Sequence, residues 1–431
     1  MADIRVDRYE VDVAANGQTL TITDVGDLSK AFIRLTGSSL KTCGGRIGNT
    51  GNGIWGYNGV GHVLTATNQV TFYRNATTDV GTVKTMFEIW TYTGPANGAY
   101  EFKVRDVASK TLLRDDLTTT EALTLITDRN ACIPFITGFT TSDDALLGAA
   151  GTCNVHINSS NQIEFNRGRI PGFGTTMDYY YTIVEFTGSA WNVGHAVSTA
   201  HDTMGTAGIN LTMNTDSTGT GGTTFDVTDW TTAMIPEISM GSDAGGEAGI
   251  GDILLISRPG DSTTQVRIQF GDINARNDNK AYVHILQCDD ITVWRSDPAP
   301  GPNQIEEGNN TYSVNEDFPN STIAGNLNEL ALEFSVSTTG TGAAHMRGQL
   351  VGIIEEVTPG VFQLKHWIHR SGNAVTGNWA AVDFSQAVDV PVSGQILKAW
   401  NGTSWLPCVI KRWNGTTWDN VKYWDGDSWQ I

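Results

Sequence analysis

Apolar and polar residues alternate with period two along most of this chain, and no long stripe of period 3.6 with helix caps interrupts them. Alternation turns successive side chains to opposite faces of an extended backbone, so strands are predicted throughout. Clear examples are Ala31-Phe32-Ile33-Arg34-Leu35, Val70-Thr71-Phe72-Tyr73 and Met86-Phe87-Glu88-Ile89-Trp90-Thr91-Tyr92. Trp90 is expected in a core. The fold class that follows is all-β.

These strands recur in a fixed order. An acidic turn feeding an apolar strand begins at Asp24, at Asp128 and at Asp226, spaced by 104 and 98 residues. A strand opening on glutamine comes next, starting at Gln69, Gln162 and Gln265. An aromatic-rich strand closes each copy: Phe87–Tyr92, Tyr181–Phe186 and Tyr282–Gln287. A repeat of about 100 residues is long enough for each copy to close its own core, unlike a solenoid unit of 20–50 residues. Strands set close together with Gly, Asn, Asp and Ser between them suggest tandem β-sandwich or jelly-roll-like modules. The expected organisation is module 1 over 1–112, module 2 over 113–212 and module 3 over 213–296. A Pro/Gly linker at 297–304 precedes a fourth β segment at 305–390, in which Gly325-Asn326-Leu327-Asn328 stands where the acidic turn would be.

A second, shorter repeat fills 391–431. It reads Trp400-Asn401-Gly402-Thr403-Ser404-Trp405, then Trp413-Asn414-Gly415-Thr416-Thr417-Trp418, then Trp424-Asp425-Gly426-Asp427-Ser428-Trp429. Asn-Gly and Asp-Gly favour tight hairpin turns because both residues tolerate positive φ. Each turn is flanked by tryptophans at cross-strand reach, where aromatic pairs stabilise by about 0.2–1 kcal/mol. A C-terminal β-hairpin repeat is therefore expected. Small hairpins are marginal alone in water, so Trp400, Trp405, Trp413, Trp418, Trp424 and Trp429 are the candidate oligomerisation or glycan-contact aromatics.

Charge narrows the partners. Forty-six acidic against 27 basic residues leave a net charge of −19, which opposes phosphate backbones, so no nucleic-acid partner is expected. No apolar run is long enough to span a bilayer, and Met1–Val13 shows no secretory h-region. Neither membrane insertion nor a signal peptide is expected. Five cysteines lie far apart without a Cys-x-x-Cys pair and read as buried free thiols.

The tandem Trp-Asn-Gly-x-Ser/Thr-Trp motifs resemble those that end many virion structural and tail-associated proteins of tailed bacteriophages. The modules of about 100 residues, with their acidic turn, apolar strand, Gln-initiated strand and aromatic strand ending at Thr93-Gly94 or Thr187-Gly188, also look like modules of phage tail or appendage proteins. The third copy departs from this, having Gln287-Cys288-Asp289 at that place. The resemblance implies a virion component assembled in the host cytoplasm. Its expected partners are copies of itself, as a homotrimer, other virion proteins, and a host-surface glycan or protein.

Local signatures of chemistry are weak. His366 and His369 stand three apart in a segment that alternates as a strand, which turns them to opposite faces. His195 and His201-Asp202 flank a Ser/Thr-rich stretch and read as loop residues. Asp243, Glu247 and Asp252 share a glycine-rich loop, and Asp425 and Asp427 share the last hairpin turn. Neither group supplies a twelve-residue calcium loop. No nucleophile elbow, phosphate loop or His-Glu-x-x-His is present, so no catalytic residue, metal or cofactor is expected. The expected function is a non-enzymatic tail fibre or appendage component for assembly and host attachment. A capsid decoration or head-fibre protein is the alternative, and a carbohydrate-binding protein or glycan hydrolase is the second.

Overall fold

The computed structural model describes residues 2–36, 59–74, 82–113, 116–141, 153–166, 176–198, 208–241, 255–270, 280–295, 303–305, 309–317, 323, 325–338, 350–370, 375–389, 398–400, 405–407, 411–413, 418–420, 423–424 and 429–430. They fall into two units, Met1–Ala387 and Val388–Ile431.

The first unit is all-β, with four repeats of one sandwich. In repeat 1 the strands are β1 (Ile4–Val13), β2 (Gln18–Thr21), β3 (Ala31–Leu35), β4 (Gly61–Ala66), β5 (Gln69–Tyr73) and β6 (Val83–Tyr92). They pair antiparallel as two three-stranded sheets, β1-β6-β3 and β2-β5-β4. Repeat 2 has β7 (Lys103–Leu112), β8 (Thr118–Ala122), β9 (Cys132–Thr141), β10 (Asn154–Ile157), β11 (Gln162–Asn166) and β12 (Met177–Glu185). Repeat 3 has β13 (Asn192–Val197), β14 (Ile209–Thr212), β15 (Ala233–Gly241), β16 (Leu255–Pro259), β17 (Gln265–Phe270) and β18 (Lys280–Gln287). The pairing repeats without change as β7-β12-β9 with β8-β11-β10, and as β13-β18-β15 with β14-β17-β16. The Gln-initiated strands are thus the middle of each second sheet, and the aromatic strands the middle of each first sheet.

Repeat 4 has β19 (Thr292–Arg295), β20 (Asn303–Ile305), β21 (Asn309–Asp317), β22 (Leu330–Thr338), β23 (Leu350–Thr358), β24 (Val361–Arg370) and β25 (Val375–Asp383). Here β19 and β20 pair successively along the same β25, opposite Ala380–Asp383 and Val375–Gly377. The Pro/Gly stretch expected to separate domains is therefore flanked by two strands of one sheet. The other expected boundaries differ for a related reason: β7, β13 and β19 hydrogen-bond to β12, β18 and β25, and so open repeats 2, 3 and 4 instead of closing the modules before them.

A one-turn 3₁₀ segment enters β3, β9, β15 and β22. Its N-caps are Asp27, Asp128, Asp229 and Asn326, spaced by 101, 101 and 97 residues. Each aspartate accepts from the backbone N–H two residues on, Ser29, Asn130 and Thr231, all close to 2.8–2.9 Å. The equivalent acids are thus Asp27 and Asp229 rather than Asp24 and Asp226, because only the capping geometry distinguishes acids three residues apart.

Each sandwich has its own core. Val70, Phe72 and Phe87 fill the first, Phe165 and Tyr181 the second, Val266 and Ile268 the third, and Leu364 with Trp379 the fourth. The other face of each first sheet joins a fifth, shared core. Phe32 and Trp90, Phe135 and Val184, Met234 and Leu286, and Ala331 and Val382 meet there. The middle strands are buried on both faces, which explains runs such as Tyr282–Leu286 that are apolar without alternation.

The contacts around this core close in a cycle. The 3₁₀ turn of repeat 1 packs on β7, that of repeat 2 on β13, that of repeat 3 on β19, and that of repeat 4 on β1. The chain makes four copies of one head-to-tail interface, and the fourth returns to the N-terminal strand.

Among the described residues the second unit holds three two-stranded hairpins: β26 (Lys398–Trp400) with β27 (Trp405–Pro407), β28 (Lys411–Trp413) with β29 (Trp418–Asn420), and β30 (Tyr423–Trp424) with β31 (Trp429–Gln430).

Candidate functional site

The six tryptophans singled out in the sequence fall at matching places in the three hairpins. Trp400 faces Trp405, Trp413 faces Trp418, and Trp424 faces Trp429 as direct register partners. Their side chains and the connecting turns, including Asp425 and Asp427, lie outside the described residues. Two or three residues per strand leave each hairpin with few internal backbone bonds, so its stability depends on what it packs against.

Within the four-repeat unit the described polar machinery sits at the seams. Arg8 of β1 donates from Nη1 to the Leu327 carbonyl and from Nη2 to that of Leu330, the first residue of the 3₁₀ turn of repeat 4 and the residue just after it. Arg295 of β19 repeats the motif on repeat 3, with Nη1 to Trp230 O and Nη2 to Ala233 O. In β13 the equivalent place holds His195, whose Nε2 meets Asn130 O at 2.9 Å. Cationic groups suit the carbonyl end of a helical turn, where acceptors lack intrahelical partners. Burial pulls the Arg8 guanidinium down to about 10 against the opposing pull of Glu88 and Asp7.

The seam between repeats 1 and 4 centres on Glu88, fully buried in β6. Its carboxylate accepts from Arg34 Nη1 at 3.1 Å, Trp90 Nε1 at 3.0 Å and the Leu332 N–H at 2.8 Å, with Arg8 Nε at 4.0 Å. Arg34 reaches on to Leu332 O and, at 3.0 Å, to Pro236 O of repeat 3. Repeats 1 and 4 are not consecutive in sequence, so this network fastens the cycle where no short linker does.

The seam between repeats 2 and 3 is built from histidines. His195 Nδ1 lies 2.9 Å from His284 Nδ1, and His156 stacks on Tyr282 with ring centroids 4.1 Å apart. Donation from His195 Nε2 to a carbonyl leaves its Nδ1 as acceptor, so the proton between the rings belongs to His284. Burial is the largest influence on all three: His156 and His195 fall to about 4, and His284 well below its ordinary value.

Between repeats 1 and 2, His62 Nδ1 donates to Thr137 O at 2.9 Å, and its Nε2 faces Thr85 Oγ1 at 2.8 Å. Thr137 O reaches it from a bulge in β9, where Tyr180 faces Gly138 but Tyr181 faces Ile136.

A smaller clasp ties the end of the last strand to the 3₁₀ turn. Glu185 accepts from the N–H groups of Thr127 and Asp128 and from Arg105 Nε at 2.6 Å. Burial raises its pKa, but these bonds outweigh burial and lower it overall. Asp383 accepts from Gly325 N–H at 3.0 Å in the same position, and Gln287 donates to Thr228 Oγ1 at 2.8 Å.

The seam residues were missed in the sequence because their partners lie up to 322 positions away. One signal was present: Val-x-Arg or Val-x-His opens three of the repeats, as Val6-Asp7-Arg8, Val193-Gly194-His195 and Val293-Trp294-Arg295. His195, read from the sequence as a loop residue, is instead a buried residue of β13. Its alternation was hidden by a strand whose two faces are both covered.

His366 and His369 stand three apart along β24, with His366 buried. His201, Asp202, Asp243, Glu247 and Asp252 lie outside the described residues. Among the described residues no group of three or more His, Cys, Asp or Glu is placed to hold a metal ion, and no helix is long and apolar enough to cross a membrane. Cys132, Cys153 and Cys288 are buried free thiols. The chain matches no protein-family model, no curated protein and no solved structure.

Proposed function

We propose that this chain is a non-enzymatic structural component of a tailed-phage virion, a tail fibre or appendage protein that assembles through its C-terminal hairpins and contacts the host surface. The observation that carries this reading is the set of three hairpins with facing tryptophans, Trp400 with Trp405, Trp413 with Trp418 and Trp424 with Trp429. Such hairpins need apolar cover, and copies of the same motif around a common axis supply it, with a homotrimer as the simplest arrangement. The four-repeat unit favours a structural role in a different way. Its buried residues Arg34, Glu88, His62 and His195 hydrogen-bond across the seams and fasten repeats together, which suits a rigid body that holds its shape under load.

The test is the mass of the full chain compared with a version ending at residue 387. Light scattering should give a multiple of the 46.5 kDa chain mass for the first and a monomer for the second. A full-length monomer, or an oligomer of unchanged order after truncation, overturns the assembly role.

A further inference from the structure

We infer that the seam between repeats 1 and 2 is a docking site for a guanidinium group, carried by an arginine of a protein partner, which there takes the place that Arg8 and Arg295 hold at two other seams. This does not rest on the virion reading, since it follows from comparing the four seams of one unit.

The strand register gives the equivalences. Trp90, Val184, Leu286 and Val382 are the shared-core residues of the four last strands, and they face Val6, Val104, Val193 and Val293 on the first strands. Two residues earlier stand Glu88, Thr182, His284 and Ala380, which face Arg8, Val107, His195 and Arg295. Three of those last four residues donate to the preceding 3₁₀ turn. Arg8 donates to the carbonyls of Leu327 and Leu330, Arg295 to those of Trp230 and Ala233, and His195 to that of Asn130. Repeat 2 differs because β7 carries one extra residue, bulging where Val104 faces Val184 but Asp106 faces Ile183. Arg105 is the residue between, and its Nε is taken by Glu185 at 2.6 Å. A valine, Val107, then falls at the place of the cation.

The acceptors are kept all the same. Leu28 opens the 3₁₀ turn of repeat 1 and Ala31 follows that turn, as Leu327 and Leu330 do in repeat 4. The Leu28 carbonyl accepts the Ala31 N–H, just as the Leu327 carbonyl accepts the Leu330 N–H. Leu327 offers its second lone pair to Arg8. Among the described residues no side chain donates to the Leu28 or Ala31 carbonyl. The place is open to solvent, with Leu28 38% and Val107 41% exposed, and these apolar side chains suit the weakly hydrated face of a guanidinium. The charge nearby suits it too. Asp106, beside Val107, forms no ion pair among the described residues and accepts from the Tyr181 hydroxyl at 3.3 Å. Burial raises its pKa more than that hydroxyl lowers it. A net charge of −19 draws cationic partners to the whole chain, while a pair of carbonyls selects a fork that donates twice.

Calorimetric titration of the full chain at low salt with acetyl-arginine amide, and separately with acetyl-glutamine amide, tests the site. Saturable binding of the arginine compound alone is expected. Val107→Arg restores the pattern of repeats 1 and 4 from within the chain, so it should weaken that binding at least about tenfold and raise Tm by about 2 °C through its new charge-assisted bonds. One charge in a net charge of −19 is too small a change to produce such a loss through bulk attraction. Val107→Thr, which keeps the shape and adds no charge, should bind as the native chain does, with Tm within about 1 °C. Absence of saturable binding by acetyl-arginine amide, equal binding of the glutamine compound, or undiminished binding by Val107→Arg overturns the site. A Tm lowered by Val107→Arg overturns the assignment of the Leu28 and Ala31 carbonyls as its acceptors.

Discussion

Replacing Glu88 by alanine strikes the one seam of the cycle that no linker bridges. The substitution strips the counter-charge from Arg34 and Arg8, whose side chains are 3% and 6% exposed, and orphans the Trp90 Nε1 and Leu332 N–H donors. Breaking a buried ion pair by removing one partner costs about 3–5 kcal/mol, mostly through the uncompensated charge left behind. At roughly 2.1 cal/mol/K of unfolding entropy per residue, a cooperative unit of this size loses about 4–6 °C in Tm for that cost. Differential scanning calorimetry of the residue 1–387 unit is the assay. As a control, Glu10→Ala removes the partner of Lys84 and Lys365 at a more exposed site, where the loss should stay within about 1 °C. Replacing Arg8, Arg34 and Glu88 together by apolar residues of similar volume should recover most of the lost stability, since no charge is then left unpaired. A shift below about 1 °C for Glu88→Ala would refute the reasoning. So would selective early melting of repeat 1 with the other repeats untouched, because a closed cycle with a shared core should weaken as a whole.

Three further expectations follow from the same structure. His62, His156, His195 and His366 are held near 4 by burial, with an ordinary value of 6.5, so folding favours the neutral rings. Their contribution is complete above about pH 6.5 and is lost as pH falls from there toward 4, about 3 kcal/mol per group at the acid end; urea midpoints measured from pH 7.5 to 4.5 should fall steadily, and a flat profile contradicts their burial as neutral rings. Gly138 has φ +122°, and a Cβ there would lie 1.8 Å from Val60 O; Gly138→Ala should cost at least about 2 kcal/mol in chemical denaturation and disturb the His62–Thr137 bond, and near-native stability counts against the bulge. Trp90→Ala should cost about 3–5 kcal/mol, since the ring is 1% exposed in the shared core, and a barely altered Tm would contradict that placement.

Much of the fold was legible because local pattern decides it. The glutamines at 69, 162 and 265 open the middle strands of the second sheets, and the aromatic strands are the doubly covered middle strands of the first. What local pattern does not decide is where one repeat ends. Strand β7, Lys103-Val104-Arg105-Asp106-Val107-Ala108-Ser109-Lys110, is polar and half-exposed, so nothing in its composition reveals that it pairs forward with β12. The shared core and the closure were likewise invisible. Arg8 and Leu330, or Thr36 and Gly352, meet only because four similar interfaces compound into a full turn, and contacts over 300 residues apart leave no short-range trace. The candidate tryptophans were legible for the opposite reason, since each facing pair lies within six residues of sequence.

Immunogold labelling of tailed-phage particles from the source of this chain tests the proposed place in a virion most directly. Antibody raised against the four-repeat unit should decorate intact particles at the tail or its appendages. Gold confined to the head would move the protein to a capsid-decoration role, and particles free of label, with the protein present only in the lysate, would contradict a virion role altogether.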